Sequence, residues 1–389
     1  MNTATFVRTH TTARQAVAYF LGLGHSLALW RMPNHDDVYL AASQQGVRAL
    51  ADLSLEETPP GFVIAPFDPA KPALLLPASI RLTFRHGQLH TAQGVDENQV
   101  ASLEKMADDV RPAFHFAAGL HSVPSNPSDY SALVARCIQA IGDKKFEKIV
   151  PSRCKDVPSA NTHALVEMFH ALCAKYPHAL VSLVSSPETG TWMGATPEAL
   201  VSVDEQQVFR TVALAGTKPF VEGMDVRNVA WTQKEIEEQA LVSRYIINCF
   251  KKLRVREYLE HGPRTSVAGN VMHLKTDYEV DMKAINFPQF GTVMLQLLHP
   301  TSAVCGMPLD ASLSFLQRHE GYDRGFYSGF LGPVGFEHGS HLFVNLRCVQ
   351  VVENTFRFYA GAGVTQDSQP DEEWAETEWK MNTLASVVL

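Results

Sequence analysis

Three apolar runs near the C-terminus, at residues 326–336, 342–352 and 355–360, follow one another as hairpin-like strands with no helical stretch between them. Parallel neighbours need a long crossover, so runs this close are expected to pair antiparallel. Upstream, strand patterns at 145–150, 179–185, 190–194 and 208–214 are interrupted irregularly by amphipathic helical patterns at 128–142 and 162–175. Strands and helices therefore do not alternate strictly, and an α+β architecture with large, mainly antiparallel sheets is expected rather than a doubly wound parallel sheet.

Residues 1–120 are a strand-rich part of the same fold, cut into short pieces by Pro59, Pro60, Pro66, Pro69, Pro72 and Pro77. They carry no readable chemistry. The regular pattern, and every candidate functional residue, lies in 121–389.

The formal charge of -8, with no dense run of Lys or Arg, argues against a nucleic-acid surface. An anionic ligand would therefore need local cations or a metal. The six cysteines show neither a C-x-x-C pair nor zinc-finger spacing and read as reduced thiols of a cytoplasmic protein. No apolar run reaches the length of a membrane span. The stretch 16–30 is the best candidate for a targeting segment, but Gly22, Gly24 and His25 interrupt it and no small-residue cleavage site follows.

A long helix is expected at 233–253. At about 100° per residue, Glu235, Glu238, Val242, Tyr245, Ile246, Cys249 and Leu253 share one face, while Glu237 points away. Acids that continue an apolar stripe look toward a cavity. Glu235 also has a plainer reading, because Thr232-x-x-Glu235 is a capping box. The last helix, from about 371, repeats the pattern: Glu373, Glu376, Lys380, Thr383, Leu384 and Val387 share a face. There the plainer reading is that acids complement the helix dipole. Four inward carboxylates repel one another unless a cation lies between them, and hard oxygen donors point to Mg²⁺ rather than zinc.

Nine segments in order resemble the chorismate-binding enzymes, the family of isochorismate, salicylate, anthranilate and aminodeoxychorismate synthases. They are Glu147-Lys-Ile-Val-Pro-Ser-Arg153, Gly194-Ala-Thr-Pro-Glu-Ala-Leu200, Leu214-Ala-Gly-Thr217, Lys234-Glu-Ile-Glu-Glu238, His299-Pro-Thr-Ser-Ala303, Asp323-Arg-Gly-Phe-Tyr-Ser-Gly329, Asn345-Leu-Arg-Cys348, Ala360-Gly-Ala-Gly363 and Glu373-Trp-Ala-Glu-Thr-Glu-Trp-Lys380. The resemblance implies two large antiparallel sheets packed face to face, with helices outside and the active site in the cleft between them. It implies that Glu238 and Glu376 bind Mg²⁺, supported by Glu235 and Glu373, and that the ion grips the ring carboxylate of chorismate. It assigns substrate contacts to Gly216, Thr217, His273, Ala303, Tyr327, Arg347, Gly361, Ala362, Gly363 and Lys380. Among these, Arg347 is suited to hold a carboxylate through two parallel bonds.

Lys148 and Glu198, 50 residues apart, match the base and acid of the members that use water. Isochorismate synthesis adds water at C2 and expels the C4 hydroxyl, which requires both groups. Taken alone, Lys148 reads as an exposed strand residue, and Thr196-Pro197-Glu198 reads as the start of a helix, where an ionised Glu is favoured. Ala303 is small, as in isochorismate synthases, where salicylate synthases tend to carry Thr. Gln239 replaces a common His and Lys218 a common Arg. The expected activity is isochorismate synthase; salicylate synthase is the nearest alternative, and an aminating synthase is the next. Chorismate is the expected partner, with no glutaminase subunit, in a monomer or weak homodimer.

Overall fold

The computed structural model describes residues 5–6, 10–107, 109–116, 126–221, 223–268, 271–336 and 339–389. The architecture is α+β. One antiparallel sheet has ten strands, in the order Thr5–Phe6, Gln88–Gln93, Ile80–Arg85, Val38–Ser43, Ser26–Arg31, Leu180–Ser186, Gly190–Thr196, Cys348–Val352, Thr355–Gly361 and Ser152–Pro158. The other has nine, in the order Leu259–Ala268, Val271–Asp281, Val208–Pro219, Ala199–Val203, Ser340–Val344, Phe330–Val334, Gly61–Ala65, Ala73–Pro77 and Arg48–Leu50. Strands from the first hundred residues lie in both.

The burial pattern explains the layering. Strand Ser26–Arg31 is buried throughout, so both of its faces are covered. Leu27 and Leu29 pack with Val17, Phe20, Phe169 and Leu172 of the outer helices. Ala28 and Trp30, on the alternate face, meet Phe62, Ile64 and Leu76 of the other sheet. The apolar stretch at 16–30 is thus a helix and a strand of this core. The nine-stranded sheet buries its far face, including Val63, Phe209 and Tyr278, against Leu133, Val242, Ile246 and Phe290 from helices. Each such side chain contributes on the order of 1.5–3 kcal/mol when fully buried. All six cysteine thiols are free. Among the described residues no helix is long and apolar enough to cross a membrane.

Two expectations fail, and both failures matter for the site. Residues 342–352 are two strands, not one: Ser340–Val344 belongs to the nine-stranded sheet and Cys348–Val352 to the ten-stranded sheet. The break comes at Arg347, whose φ of +47° lies in the left-handed region and cannot continue a strand. Likewise Thr196-Pro197-Glu198 does not open a helix. Gly190–Thr196 ends in the ten-stranded sheet and Ala199–Val203 begins in the nine-stranded one. Pro197 has no N–H to give to a ladder, which suits a residue between sheets.

The strand expected at 145–150 is also shorter, covering only Lys148–Ile149 and pairing with Gly306–Met307. Lys144, at φ +60°, and Lys145 instead close the preceding helix, donating their N–H groups to the Ile141 and Ala140 carbonyls.

Candidate active site

A cavity of about 570 Å³ opens between the sheets, bordered by the helices Gln233–Lys252 and Pro370–Val388. Thirteen of the sequence-derived residues line it: Lys148, Glu198, Gly216, Glu235, Glu238, His273, Ala303, Tyr327, Arg347, Gly361, Gly363, Glu376 and Lys380. The long helix presents its stripe as the spacing predicts, with Val242, Ile246 and Cys249 buried beneath the two acids and Glu237 exposed.

Three of the four acids of the cavity face a lysine. Lys148 Nζ lies 4.0 Å from Glu238 Oε2, Lys218 Nζ 3.3 Å from Glu235 Oε2, and Lys380 Nζ 2.5 Å from Glu376 Oε1. Glu235 also accepts the Thr232 backbone N–H at 2.7 Å, so the capping-box reading and the cavity reading both hold. Lys380 reaches the Gly361 carbonyl at 2.9 Å, tying the last helix to the glycine turn.

Glu198 lies deep in the cleft, where withdrawal from water raises its carboxyl to about 7 against the opposing pull of Arg347, Lys380 and Lys148. The difficulty posed by a helix N-terminus disappears with the helix. Burial also lowers the proton affinity of the Arg347 guanidinium, which faces Tyr327, Glu198 and Glu376. Tyr327 is buried and stacks on Tyr359, with centroids 5.1 Å apart, and desolvation pushes its phenol up to about 12, so it is a neutral donor.

His273 sits beside a bulge in strand Val208–Pro219, where the ladder shifts register between Ala215 and Lys218. Gly216 occupies that bulge at φ +67°, and a Cβ there would stand 3.2 Å from Glu235 Cβ. The bulge turns the Gly216 carbonyl to His273 Nδ1, 2.8 Å away. Burial lowers the imidazole to about 4, so it is neutral, and Nδ1 carries the proton that this bond donates.

Two expected residues stand apart from the cavity wall, and the side chain of a third is not described. Ala362 is fully buried and its N–H is donated to the Pro151 carbonyl, so it has none to offer a ligand. Glu373 joins Thr377, Met381 and Leu384 on the buried stripe, near Tyr130 of the helix Pro127–Gly142. Three residues separate it from Glu376, and the resulting turn of about 60° takes it off the cavity face. Thr217 belongs to strand Val208–Pro219, and its side chain lies outside the described residues.

Trp379, Tyr359 and Leu346 line the cavity without having been singled out from sequence. Trp379 follows Glu376 by three residues, a helical spacing that could have revealed it. Gln239 is buried and donates to Thr276 Oγ1 at 2.7 Å and Ser243 Oγ at 3.0 Å, away from the cavity.

The cavity thus brings together hard oxygen donors, the Arg347 guanidinium, the Lys380 amine and a carboxyl raised to about 7. Comparison with known proteins shows what the chain resembles. Isochorismate synthase EntC of Escherichia coli (strain K12) is 24% identical over 331 residues, covering 83% of this chain and 79% of that protein. Isochorismate synthase DhbC of Bacillus subtilis (strain 168) is 30% identical over 270 residues, 66% of this chain and 67% of its own length. The solved structure of MenF, the menaquinone-specific isochorismate synthase from Escherichia coli, superposes with a TM-score of 0.75 at 20% identity, over 100% of this chain and 95% of that one. That likeness confirms the fold, two large antiparallel sheets with helices outside. The family model for chorismate binding enzymes matches residues 82–389, and the chain belongs to that family.

Proposed function

We propose that this protein is an isochorismate synthase: it adds water at C2 of chorismate and expels the C4 hydroxyl. The observation that carries the reading is the cavity itself, in which a lysine and a carboxyl of opposite expected duty face one ligand space. Lys148, buried among backbone and close to Glu238, is the base that takes a proton from water. Glu198, protonated up to about pH 7, gives its proton to the departing C4 oxygen. Arg347 and Tyr327 hold the enolpyruvyl carboxylate, Arg347 by charge and two parallel bonds, Tyr327 by its hydroxyl. Gly216, Gly361 and Gly363 let backbone approach the ring closely, and Ala303 leaves room beside it. The relatives named as isochorismate synthases support the same reading.

The donor set also suits Mg²⁺. Glu238 and Glu376 offer hard oxygens to the same cavity, which Glu235 also lines. Among the described residues no three His, Cys, Asp or Glu side chains come close enough to hold a metal. An ion here would complete its shell with the ring carboxylate of the substrate and water. Held by Glu238 and Glu376, such an ion would supply positive charge to the ring carboxylate of the substrate.

Incubation of the purified protein with chorismate and Mg²⁺, followed by chromatography of the products, tests the reading. Isochorismate as the product supports it; salicylate with pyruvate, or no conversion, overturns it.

A further inference from the structure

Behind the cavity wall lies a buried ion pair that no catalytic duty explains. Arg324 and Glu320 have side chains only 2% and 3% exposed. Arg324 Nε donates to Glu320 Oε2 at 2.8 Å, and the remaining guanidinium nitrogens donate to the Val304 carbonyl at 2.8 Å and the Val150 carbonyl at 2.7 Å. Glu320 Oε1 accepts from the Ser152 backbone N–H at 2.7 Å and from its hydroxyl at 3.0 Å, and that hydroxyl meets Tyr322 OH at 2.6 Å. The face of the guanidinium lies 4.1 Å from the centroid of Phe67. Phe67 is held in turn by its N–H bond to the Gly325 carbonyl, 2.9 Å.

The carbonyls chosen are informative. Val150 is two residues beyond Lys148, and Val304 follows Ala303; all four line the cavity. The two segments also pair directly, through Lys148–Ile149 with Gly306–Met307 and through the Val150 N–H to the Cys305 carbonyl. Two charges taken out of water recover their desolvation only where geometry is excellent and every hydrogen bond is made, so such pairs are weak devices for stability. A planar fork that reaches two backbone carbonyls and one carboxylate at once fixes three chain segments in register.

We propose that Arg324, oriented by Glu320 and covered by Phe67, is a positioning residue that sets where Lys148 stands relative to the ring held beside Ala303. It touches no substrate and acts through the backbone at Val150 and Val304. The proposal rests on Lys148 being the base. It also gives the N-terminal part of the chain a share in the site, because Phe67 comes from there and the Pro66 carbonyl meets His299 Nε2 at 3.0 Å.

The test is a double-mutant cycle on the full-length protein with Arg324→Lys and Lys148→Ala, measuring kcat and KM for chorismate, with thermal unfolding as the control for folding. Lysine keeps the charge but cannot serve three acceptors in a plane. Arg324→Lys is expected to lower kcat 10- to 100-fold with KM changed less than threefold. In the Lys148→Ala background the same change is expected to cost less than threefold, since the residue it positions is gone. An Arg324→Lys enzyme with wild-type kcat, or losses that multiply in the double variant, overturns the proposal. Ser152→Ala, which removes one hydroxyl from Glu320, provides a milder arm if Arg324→Lys does not fold: a kcat loss of twofold or more, again absent in the Lys148→Ala background, supports the proposal, and an unchanged kcat overturns it. The function reading fails separately, when the wild-type protein yields no isochorismate or when Lys148→Ala alone leaves kcat intact.

Discussion

Glu198 and Arg347 occupy two of the points at which the chain passes between its sheets, and these two crossings are bonded side by side. The Val344 N–H donates to the Glu198 carbonyl at 2.9 Å, and the Ala195 N–H donates to the Arg347 carbonyl at 3.0 Å. Thr196 Oγ1 adds a bond to the Val344 carbonyl at 2.7 Å. The proposed acid and the proposed carboxylate anchor are therefore fixed to each other by backbone, on the floor of the cleft that the separating strands create.

The raised carboxyl of Glu198 has a consequence for stability as well as rate. From its ordinary 4.5 to about 7, the folded protein binds a proton that the unfolded chain has already lost. Stability therefore falls as pH rises through that window, by on the order of 3 kcal/mol in total, and the full cost is present above about pH 7. Glu198→Gln is expected to melt higher than wild type at pH 8, with the advantage vanishing near pH 4.5, while turnover is lost. Melting curves at both pH values check this; equal melting at pH 8 would deny the buried carboxyl its cost. In the wild type, kcat/KM should fall as pH rises past about 7, because the acid must carry a proton.

Lys148→Ala should lower turnover by about 10² or more, the usual scale for a lost general base, with KM little changed. Steady-state kinetics decide it, and near-normal turnover would remove Lys148 from the mechanism.

Gly363 offers a gentler way to disturb the same lysine. A Cβ at this position would stand 2.9 Å from Lys148 Cε and 3.3 Å from its Nζ. Those atoms are the far end of a flexible side chain, so Gly363→Ala should displace the amine at small cost to stability. The expected result is at least a tenfold loss of kcat with the melting temperature within a few degrees of wild type. Unchanged kcat would mean that the amine position is not critical.

The fold class and most of the site were legible because they depend on local periodicity and on residue order. The helix Gln233–Lys252 turned Glu235 and Glu238 toward the cavity and Glu237 toward solvent as 100° steps require. What was not legible came from partners distant in sequence. A change of sheet at Pro197–Glu198 or at Arg347 leaves an apolar run almost unbroken, so it reads as one strand or as a helix start. Glu373 and Glu376 look equivalent by spacing, yet packing against the helix Pro127–Gly142 sends only Glu376 to the cavity. The buried pair of Glu320 and Arg324 carries no sequence pattern that marks it as buried.

Ala303 lines the cavity beside Val304, so Ala303→Thr would add a methyl and a hydroxyl to the wall near the ring. A shift in product partition toward salicylate and pyruvate is expected even where the total rate falls. Chromatographic product ratios measure this, and unchanged ratios in a folded variant would make Ala303 a bystander.

If Mg²⁺ is held by Glu238 and Glu376, Glu238→Gln and Glu376→Gln should each nearly abolish turnover, while Glu237→Gln, on the exposed face, should be close to silent. Glu235→Gln should fall between, since its bond to the Thr232 N–H predicts about 1 kcal/mol of lost stability. Turnover against Mg²⁺ concentration after chelator treatment separates the four. Full activity in metal-free buffer, or a Glu237 variant as damaged as Glu238→Gln, would refute the metal assignment.

The most direct measurement is conversion of chorismate by the wild-type protein in ¹⁸O-labelled water with Mg²⁺, with the product identified and its label located by mass spectrometry. Water activated by Lys148 at C2, with the C4 hydroxyl expelled, predicts isochorismate carrying one solvent oxygen on C2. Unlabelled isochorismate, or any other product, would contradict it.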